Sequence, residues 1–183
     1  MKKLLLLFVF ALVTTISAQA QFGFGLRVGA NYSGFSGDDA GDADRIFGAH
    51  GGLTANLPLS SDNFLSLQPE LLFSMKGAEG LGDDLRLYYL DVPVLARVNT
   101  SLLYFEAGPQ LSVRVGDNQD ADLENLRTTG LGYAAGIGVG TPLGISVGVR
   151  YNGDISKIYD EGDAKVYNDV FMFTLGYTFG GSR

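Results

Sequence analysis

The stretch GLGYAAGIGVGT (Gly130–Thr141) places glycine at nearly every second position. The positions between the small residues carry Leu131, Tyr133, Ala135, Ile137 and Val139. Alternation with a period of two predicts a β-strand whose two faces meet different surroundings. Glycine inside a strand costs roughly 0.5–1 kcal/mol relative to alanine, so something must press closely against the glycine face. We expect bulky Arg, Tyr and Gln side chains from across a narrow lumen to fill that space.

The same alternation recurs along most of the chain. Seven further segments show it, at residues 22–33, 47–57, 65–76, 88–99, 103–116, 145–152 and 170–179. Short connections are expected near residues 58–63, 99–102 and 141–144, and long ones near 34–46, 77–86, 116–128 and 156–166. Strands of this length can cross a membrane when tilted, and short turns on one side with long loops on the other are typical of outer-membrane barrels.

The apolar face of these strands is predicted to point outward into lipid. The opposite face is rich in glycine, which suits the tight interior of an eight-stranded barrel better than a water-facing surface. Aromatic residues on the apolar face form two groups, as expected at two membrane interfaces. The group at the short-turn end is Phe22, Phe24, Phe64, Tyr177 and Phe179, and the group at the long-loop end is Tyr32, Phe47, Phe73, Tyr88, Tyr133, Tyr151 and Phe171. The prediction is an all-β, eight-stranded, antiparallel up-and-down transmembrane β-barrel, with a soluble extracytoplasmic binding barrel as the alternative.

The two ends of the chain carry features of export and membrane assembly. Lys2 and Lys3 precede the apolar run Leu4–Val13, and AQA (Ala18–Ala20) offers small residues for cleavage. Residues 1–20 are therefore predicted to be a cleaved signal peptide, and residues 21–183 the barrel domain of the outer membrane. The stretch Phe171–Phe179 resembles the signal by which the outer-membrane assembly machinery recognises its clients.

Composition excludes several classes of function. The 183-residue chain has a formal net charge of −7 and no cysteine. An acidic chain is unsuited to nucleic acid, because phosphate binding needs a basic face. The lack of cysteine removes disulfides, thiolate metal sites and a cysteine nucleophile. No cofactor and no metal site is predicted.

Acidic residues concentrate in the long connections. Fifteen of the 20 lie in these connections or within two residues of them, namely Asp38, Asp39, Asp42, Asp44, Glu79, Asp83, Asp84, Asp117, Asp120, Asp122, Glu124, Asp154, Asp160, Glu161 and Asp163. Carboxylates could bind divalent cations that bridge to lipopolysaccharide phosphates. Neither GDDAGDAD (37–44) nor DNQDADLE (117–124) has EF-hand spacing, so a solvated extracellular rim is the favoured interpretation.

Charged residues also fall on the inward face, and these form the predicted structural charge cluster of the lumen. They are Arg27, Glu70, Asp91, Arg97, Glu106, Arg114 and Arg150, with Lys76 on the same face. Charges in a narrow lumen need partners. Counting along the strands puts Arg27, Glu70, Asp91, Glu106 and Arg150 at similar heights, and Arg97 and Arg114 nearer the two ends. We expect Arg27 or Arg150 to form a salt bridge with at least one of the three carboxylates, which predicts a plugged lumen. A narrow porin-like channel for small solutes or ions stays open as the alternative.

An enzymatic role is not predicted. His50 is the only histidine, and it falls on the inward, glycine-rich face, away from a lipid substrate. The chain has no Gly-x-Ser-x-Gly motif and no metal-binding pair of histidines. A hydrogen-bonding role for His50 in the lumen is expected instead.

Three stretches carry a resemblance to a known family: LSLQPELLFSMKGAE (Leu65–Glu79), LYYLDVPVLARV (Leu87–Val98) and LYFEAGPQLSV (Leu103–Val113). With the strands placed, the mature chain resembles the small outer-membrane β-barrel domain proteins of Gram-negative bacteria, often described as porin-family or PorT-like. The resemblance implies an outer-membrane location and supplies no catalytic residues. The expected role is structural or one of cell-surface interaction through the acidic loops. Expected partners are outer-membrane lipid and lipopolysaccharide, the assembly machinery, and an unidentified surface or envelope protein.

Overall fold

The chain forms a closed β-barrel of eight strands. The computed structural model describes residues 23–37, 44–79, 84–118, 127–157 and 166–179. The strands are β1 (Gly23–Ser36), β2 (Asp44–Pro58), β3 (Leu65–Glu79), β4 (Asp84–Asn99), β5 (Leu103–Asp117), β6 (Thr129–Gly140), β7 (Ile145–Asp154) and β8 (Tyr167–Phe179). Each strand pairs antiparallel with the next, and β8 closes onto β1, where Phe24 lies opposite Phe179. The predicted fold class is confirmed. The proposed signal peptide lies outside the described residues.

Several strands extend beyond their predicted ends. The connection predicted at residues 77–86 is the clearest error, because β3 runs to Glu79 and β4 begins at Asp84. Ladder pairing continues through Gly77 with Arg86 and Ala78 with Leu85, so these residues belong to a hairpin rather than to a long loop. Backbone pairing favours such an extension wherever two neighbouring strands can continue their hydrogen bonds. The connections at residues 118–128 and 155–166 are long, as predicted.

The apolar face points outward, as predicted. Leu53, Val147 and Leu175 are between 52% and 58% exposed at the outer surface. On the alternate positions, residues such as Asn31 and Gln110 are at most 1% exposed inside the barrel. A wall of exposed apolar side chains around a polar interior is the arrangement of a barrel that stands in lipid.

The outward-facing aromatic side chains form contacts along the membrane-facing wall. Near the long-loop end, the ring centroids of Tyr32 and Phe47 are 4.9 Å apart. In the same group, the Tyr151 ring lies 5.2 Å from that of Phe171. Near the short-turn end, the aromatic girdle includes exposed Phe24. Phe22, predicted for the same girdle, lies outside the described residues.

The structure explains the glycines of β6 by close approach from neighbouring strands. A Cβ atom at Gly138 would collide with the ring of Tyr104, and one at Gly148 on β7 would collide with the Tyr104 hydroxyl. A Cβ atom at Gly136 would press on the backbone of β7 beside Arg150. The prediction that a bulky tyrosine fills the space is therefore correct. Its expected origin across the lumen is wrong, because Tyr104 pairs directly with Gly138 in the β5–β6 ladder and lies along the wall.

Buried apolar side chains cluster toward the long-loop end of the barrel. Leu87, Tyr89 and Val166 form a buried cluster there, and Phe35 and Leu85 pack against it. A second buried cluster of Leu72, Val170 and Met172 lies deeper in the lumen.

Candidate functional site

Four charged side chains meet inside the barrel, one from each of four alternate strands. Arg27 comes from β1, Glu70 from β3, Glu106 from β5 and Arg150 from β7. Each of these residues is at most 5% exposed. We call these four residues the charged layer.

Each arginine of the charged layer contacts both glutamates. Arg150 donates to Glu70 through Nη1 (2.8 Å) and Nη2 (3.0 Å), and to Glu106 Oε1 through Nε (2.9 Å) and Nη2. Arg27 donates to Glu106 through Nη1 (3.2 Å) and Nη2 (3.1 Å), and its Nη1 lies 3.1 Å from Glu70 Oε1. Guanidinium groups bridge two carboxylates well because they present several donors in a fixed plane. The four formal charges cancel within the layer.

Glycines on the intervening strands make room for this layer. Arg27 pairs with Gly52 of β2 in the β1–β2 ladder. Gly136 of β6 pairs on one side with Glu106 and on the other with Arg150. Where the intervening strand has no side chain at this height, the long side chains of the two flanking strands have room to contact each other. The alternation of small and large residues around the wall is thus what brings the four charges together.

Arg97 lies on the short-turn side of the charged layer, as predicted from its position near one strand end. Its guanidinium carbon is 3.6 Å from the centroid of the Tyr104 ring. Its Nη1 donates to Gln68 Oε1 at 2.9 Å, and its Nε donates to Asn99 Oδ1 at 3.0 Å. The nearest carboxylate oxygen of the charged layer, Glu106 Oε2, is 3.9 Å away. Arg97 thus contacts two neutral amide groups and an aromatic face as well as the charged layer.

The structure does not place Asp91 in the charged layer. Asp91 Oδ1 instead accepts hydrogen bonds from Lys76 Nζ at 2.8 Å and from Ser112 Oγ at 2.6 Å. The expected common height is wrong because Asp91 pairs with Leu72 in the ladder, two residues beyond Glu70 on β3. At roughly 3.4 Å per residue, this places Asp91 about 7 Å further toward the long loops. Lys76 and Asp91 thus form a second, separate ion pair.

Arg114 is positioned near the other end of the barrel. Its Nη1 lies 3.2 Å from Asp117 Oδ2, and both residues lie at the end of β5, before the 118–128 connection. This placement agrees with the expected position of Arg114 near a strand end. Arg114 lies on the same strand as Glu106 of the charged layer, eight residues further toward the long-loop end.

His50 has the hydrogen-bonding environment that was expected for it. Its Nδ1 is 2.7 Å from Asn31 Oδ1, and its Nε2 is 3.0 Å from Thr174 Oγ1. The amide nitrogen of Asn31 donates to Ser74 Oγ and to the Met75 carbonyl, which leaves Asn31 Oδ1 as an acceptor. Nδ1 of His50 therefore carries the proton, and Nε2 accepts from the threonine hydroxyl.

Sequence reasoning did not single out Tyr104 or Gln68, although both support Arg97. The available signal was that Tyr104 lies on the predicted inward face of the strand that precedes the glycine-rich strand.

Most of the acidic loop residues lie outside the described residues. Within residues 23–37, 44–79, 84–118, 127–157 and 166–179, no group of three or more His, Asp or Glu side chains could hold a metal ion.

Comparisons with known proteins give the same fold. A family model described as "Outer membrane protein beta-barrel domain" matches residues 4–179. The crystal structure of Neisserial surface protein A matches with a TM-score of 0.58 at 16% identity, over 85% of this chain and 97% of that one. Ail, the attachment invasion locus protein of Yersinia pestis, in complex with the heparin analogue sucrose octasulfate, matches with a TM-score of 0.53 at 16% identity, over 87% and 99%. No curated protein matches the chain significantly by sequence.

Proposed function

The chain belongs to the outer membrane protein β-barrel domain family, and from this premise we propose that it is a non-enzymatic barrel with a closed lumen and a cell-surface interaction role. It reaches the outer membrane through a cleaved signal peptide comprising residues 1–20. The assembly machinery inserts it with both ends of the mature chain in the periplasm. Its short turns then face the periplasm, and its long acidic connections face outward.

The observation that carries the closed lumen is the charged layer. An eight-stranded barrel has an interior just wide enough for side chains to fill. Arg27, Glu70, Glu106 and Arg150 reach toward one another from four strands and contact each other directly. An ion that crossed this layer would have to separate buried ion pairs, which costs several kcal/mol for each uncompensated charge. The layer therefore supports a structural role for the lumen rather than conduction.

The charge of the long connections supports a surface role with a partner of opposite charge. Ten of the 20 acidic residues lie in the connections that follow β1, β3, β5 and β7. Opposite charges speed encounter and exclude wrong partners. A basic protein surface therefore fits these connections, whereas a sulfated polysaccharide does not. In this respect the chain is expected to differ from Ail, whose structure contains a heparin analogue.

Single-channel recording tests the closed lumen. The purified full-length protein in planar bilayers should give no steady conductance at neutral pH, and Glu70→Gln should behave the same way because the layer stays occupied. Reproducible, size-selective conductance of the unaltered protein would establish the channel alternative instead.

The surface role is tested separately on intact cells. Cells that display the protein should bind a lysine-rich probe peptide in a salt-sensitive manner. Replacing Asp38, Asp39, Asp42 and Asp44 with Asn should weaken this binding, whereas Asp62→Asn on the opposite end should not. Retention of the protein on heparin, or equal peptide binding by both variants, would contradict the proposal.

A further inference from the structure

Arg45 is a charged residue on the outward face of the barrel, near the long-loop end. Its guanidinium carbon lies 5.7 Å from the centroid of the Tyr32 ring and 5.4 Å from that of the Phe171 ring. Both rings are exposed on the outer wall and belong to the aromatic group of the long-loop end. Aromatic girdles lie where the hydrocarbon core of a membrane meets its headgroups. Arg45 therefore lies at the height of the lipid headgroups.

The neighbouring strands are shaped to hold the Arg45 side chain against the wall. A Cβ atom at Gly34 of β1 would lie 2.7 Å from Arg45 Cγ, so the arginine crosses β1 at a position that has no side chain. At the far end of the side chain, Nη2 donates to Asp169 Oδ2 of β8 at 2.6 Å. Aromatic rings also favour a planar guanidinium beside them. The position of the guanidinium is thus fixed by contacts with β1 and β8 as well as by its own strand.

Part of this guanidinium remains available to another ligand. Nη1 makes only a long contact of 3.5 Å with the Tyr32 carbonyl oxygen, and Nε has no hydrogen-bond partner among the residues that the structure describes. The side chain of Arg45 is 28% exposed and that of Asp169 only 9%. The guanidinium therefore covers the carboxylate and presents its remaining donors outward. Several donors in one plane suit an acceptor with several oxygens, such as a phosphate.

The two ends of the wall differ in positive charge. In the described part of the chain, no arginine or lysine faces outward at the short-turn end, where Arg97 points into the lumen. At the long-loop end, Arg86 joins Arg45 on the outward face, with its Nη1 3.8 Å from Met75 Sδ. Basic side chains at the membrane surface attract anionic headgroups. This asymmetry favours an anionic lipid beside the long-loop end of the wall.

From this arrangement we infer that Arg45 binds the phosphate of a lipid headgroup beside the barrel wall. The apolar wall lies on one side of Arg45 and the aqueous connections on the other, and lipids are the molecules that present a phosphate at this boundary. The acyl chains of the same lipid would pack on the apolar side chains of the wall. With the orientation proposed above, this is the outward leaflet and the phosphate belongs to lipopolysaccharide. The site itself does not depend on that orientation, on the closed lumen or on the partner of the acidic connections.

Native mass spectrometry of the purified full-length protein in detergent micelles tests this inference, with diphosphorylated lipid A as the probe. We expect saturable binding of one lipid per barrel, and weaker binding of the same lipid after its phosphates are removed. Arg45→Gln should weaken the binding of lipid A about tenfold, because charged hydrogen bonds to the phosphate are lost. Lys157→Gln is the matched control, since it makes the same change of charge just beyond the end of β7. Its affinity should equal that of the unaltered protein.

Asp169→Asn distinguishes a lipid site from a purely structural ion pair. The new amide oxygen can still accept from Nη2 of Arg45, but the negative charge that competes with the phosphate is removed. The affinity for lipid A should therefore rise about threefold. Loss of a purely structural pair would instead change the affinity in the same direction in Arg45→Gln and in Asp169→Asn. Heat-modifiable migration on gels verifies that each variant is folded.

The inference is overturned if the unaltered protein binds lipid A and its dephosphorylated form equally, or if folded Arg45→Gln binds as tightly as Lys157→Gln. It is also overturned if Asp169→Asn does not tighten binding. Full displacement of the lipid by inorganic phosphate at the same concentration would have the same consequence, because the site would then recognise a free anion. Conductance and peptide-binding measurements address the closed lumen and the surface role independently, so failure of one proposal is distinguishable from failure of the others.

Discussion

Removal of Arg150 is the most direct test of the charged layer. In the intact layer, Arg150 donates four hydrogen bonds to the carboxylates of Glu70 and Glu106. In Arg150→Ala, Arg27 would be the only guanidinium in contact distance of both carboxylates, with Arg97 3.9 Å from Glu106. One buried carboxylate charge would then be uncompensated within the layer.

The expected cost is large for a single substitution. Removing one partner of a buried ion pair destabilises proteins by about 3–5 kcal/mol, because the remaining charge stays buried. We therefore expect Arg150→Ala to lower the free energy of unfolding by about that amount, measured by urea titration in lipid vesicles. Arg45→Ala is the matched control, because Arg45 also pairs with a carboxylate, that of Asp169 at 2.6 Å, but its side chain is 28% exposed. Its loss should cost less than that of Arg150, because only Asp169 of this pair is buried, whereas all the partners of Arg150 and Arg150 itself are buried.

A double variant separates charge from packing. Arg150→Met combined with Glu70→Gln leaves one guanidinium and one carboxylate, Arg27 and Glu106, in the layer. Replacing a buried ion pair with neutral groups of similar volume is often nearly neutral for stability. The double variant should therefore be more stable than Arg150→Met alone. A cost below about 1 kcal/mol for Arg150→Ala, or simple additivity in the double variant, would refute the view that the layer is a coupled set of buried charges.

Three further predictions concern the wall, the glycines and the loops. Leu53→Arg and Val147→Arg should each lower the free energy of unfolding in vesicles by roughly 2–4 kcal/mol, because both side chains point outward and would carry a charge into the bilayer; unchanged stability of both would show that this face does not stand in lipid. Gly138→Leu should cost about 1–3 kcal/mol or more in the same assay, because the new side chain would overlap the Tyr104 ring, and an unchanged unfolding midpoint would mean that the ring has room to move. Millimolar Ca²⁺ should shift the thermal unfolding temperature little, since the acidic connections lack a recognised calcium-loop spacing; a large saturable shift that disappears when Asp38 and Asp39 are replaced with Asn would establish a calcium site.

The sequence by itself determined the strand pattern and the orientation of the two faces. A period of two is a local property, so counting along one strand shows which side chains share a face. The glycine-rich face that carries Arg150 was then assigned to the interior of a narrow barrel, which leaves Leu53 outside. The eight-stranded barrel was predicted from the eight amphipathic strands and the alternation of short and long connections, and closure removes the unpaired edges that an open sheet would leave. The inward charges were identified for the same reason.

Only the tertiary structure decided which inward residues meet. Heights along different strands depend on the stagger between neighbours, which the sequence of one strand does not contain. Because of that stagger, Asp91 lies outside the charged layer and pairs with Lys76. Glu70 and Glu106 pair with the two arginines of the layer. Side-chain direction is a second tertiary property. Tyr104 lies along the wall over Gly138 of the next strand rather than across the lumen. The absence of a side chain at Gly138 leaves room there for the tyrosine ring.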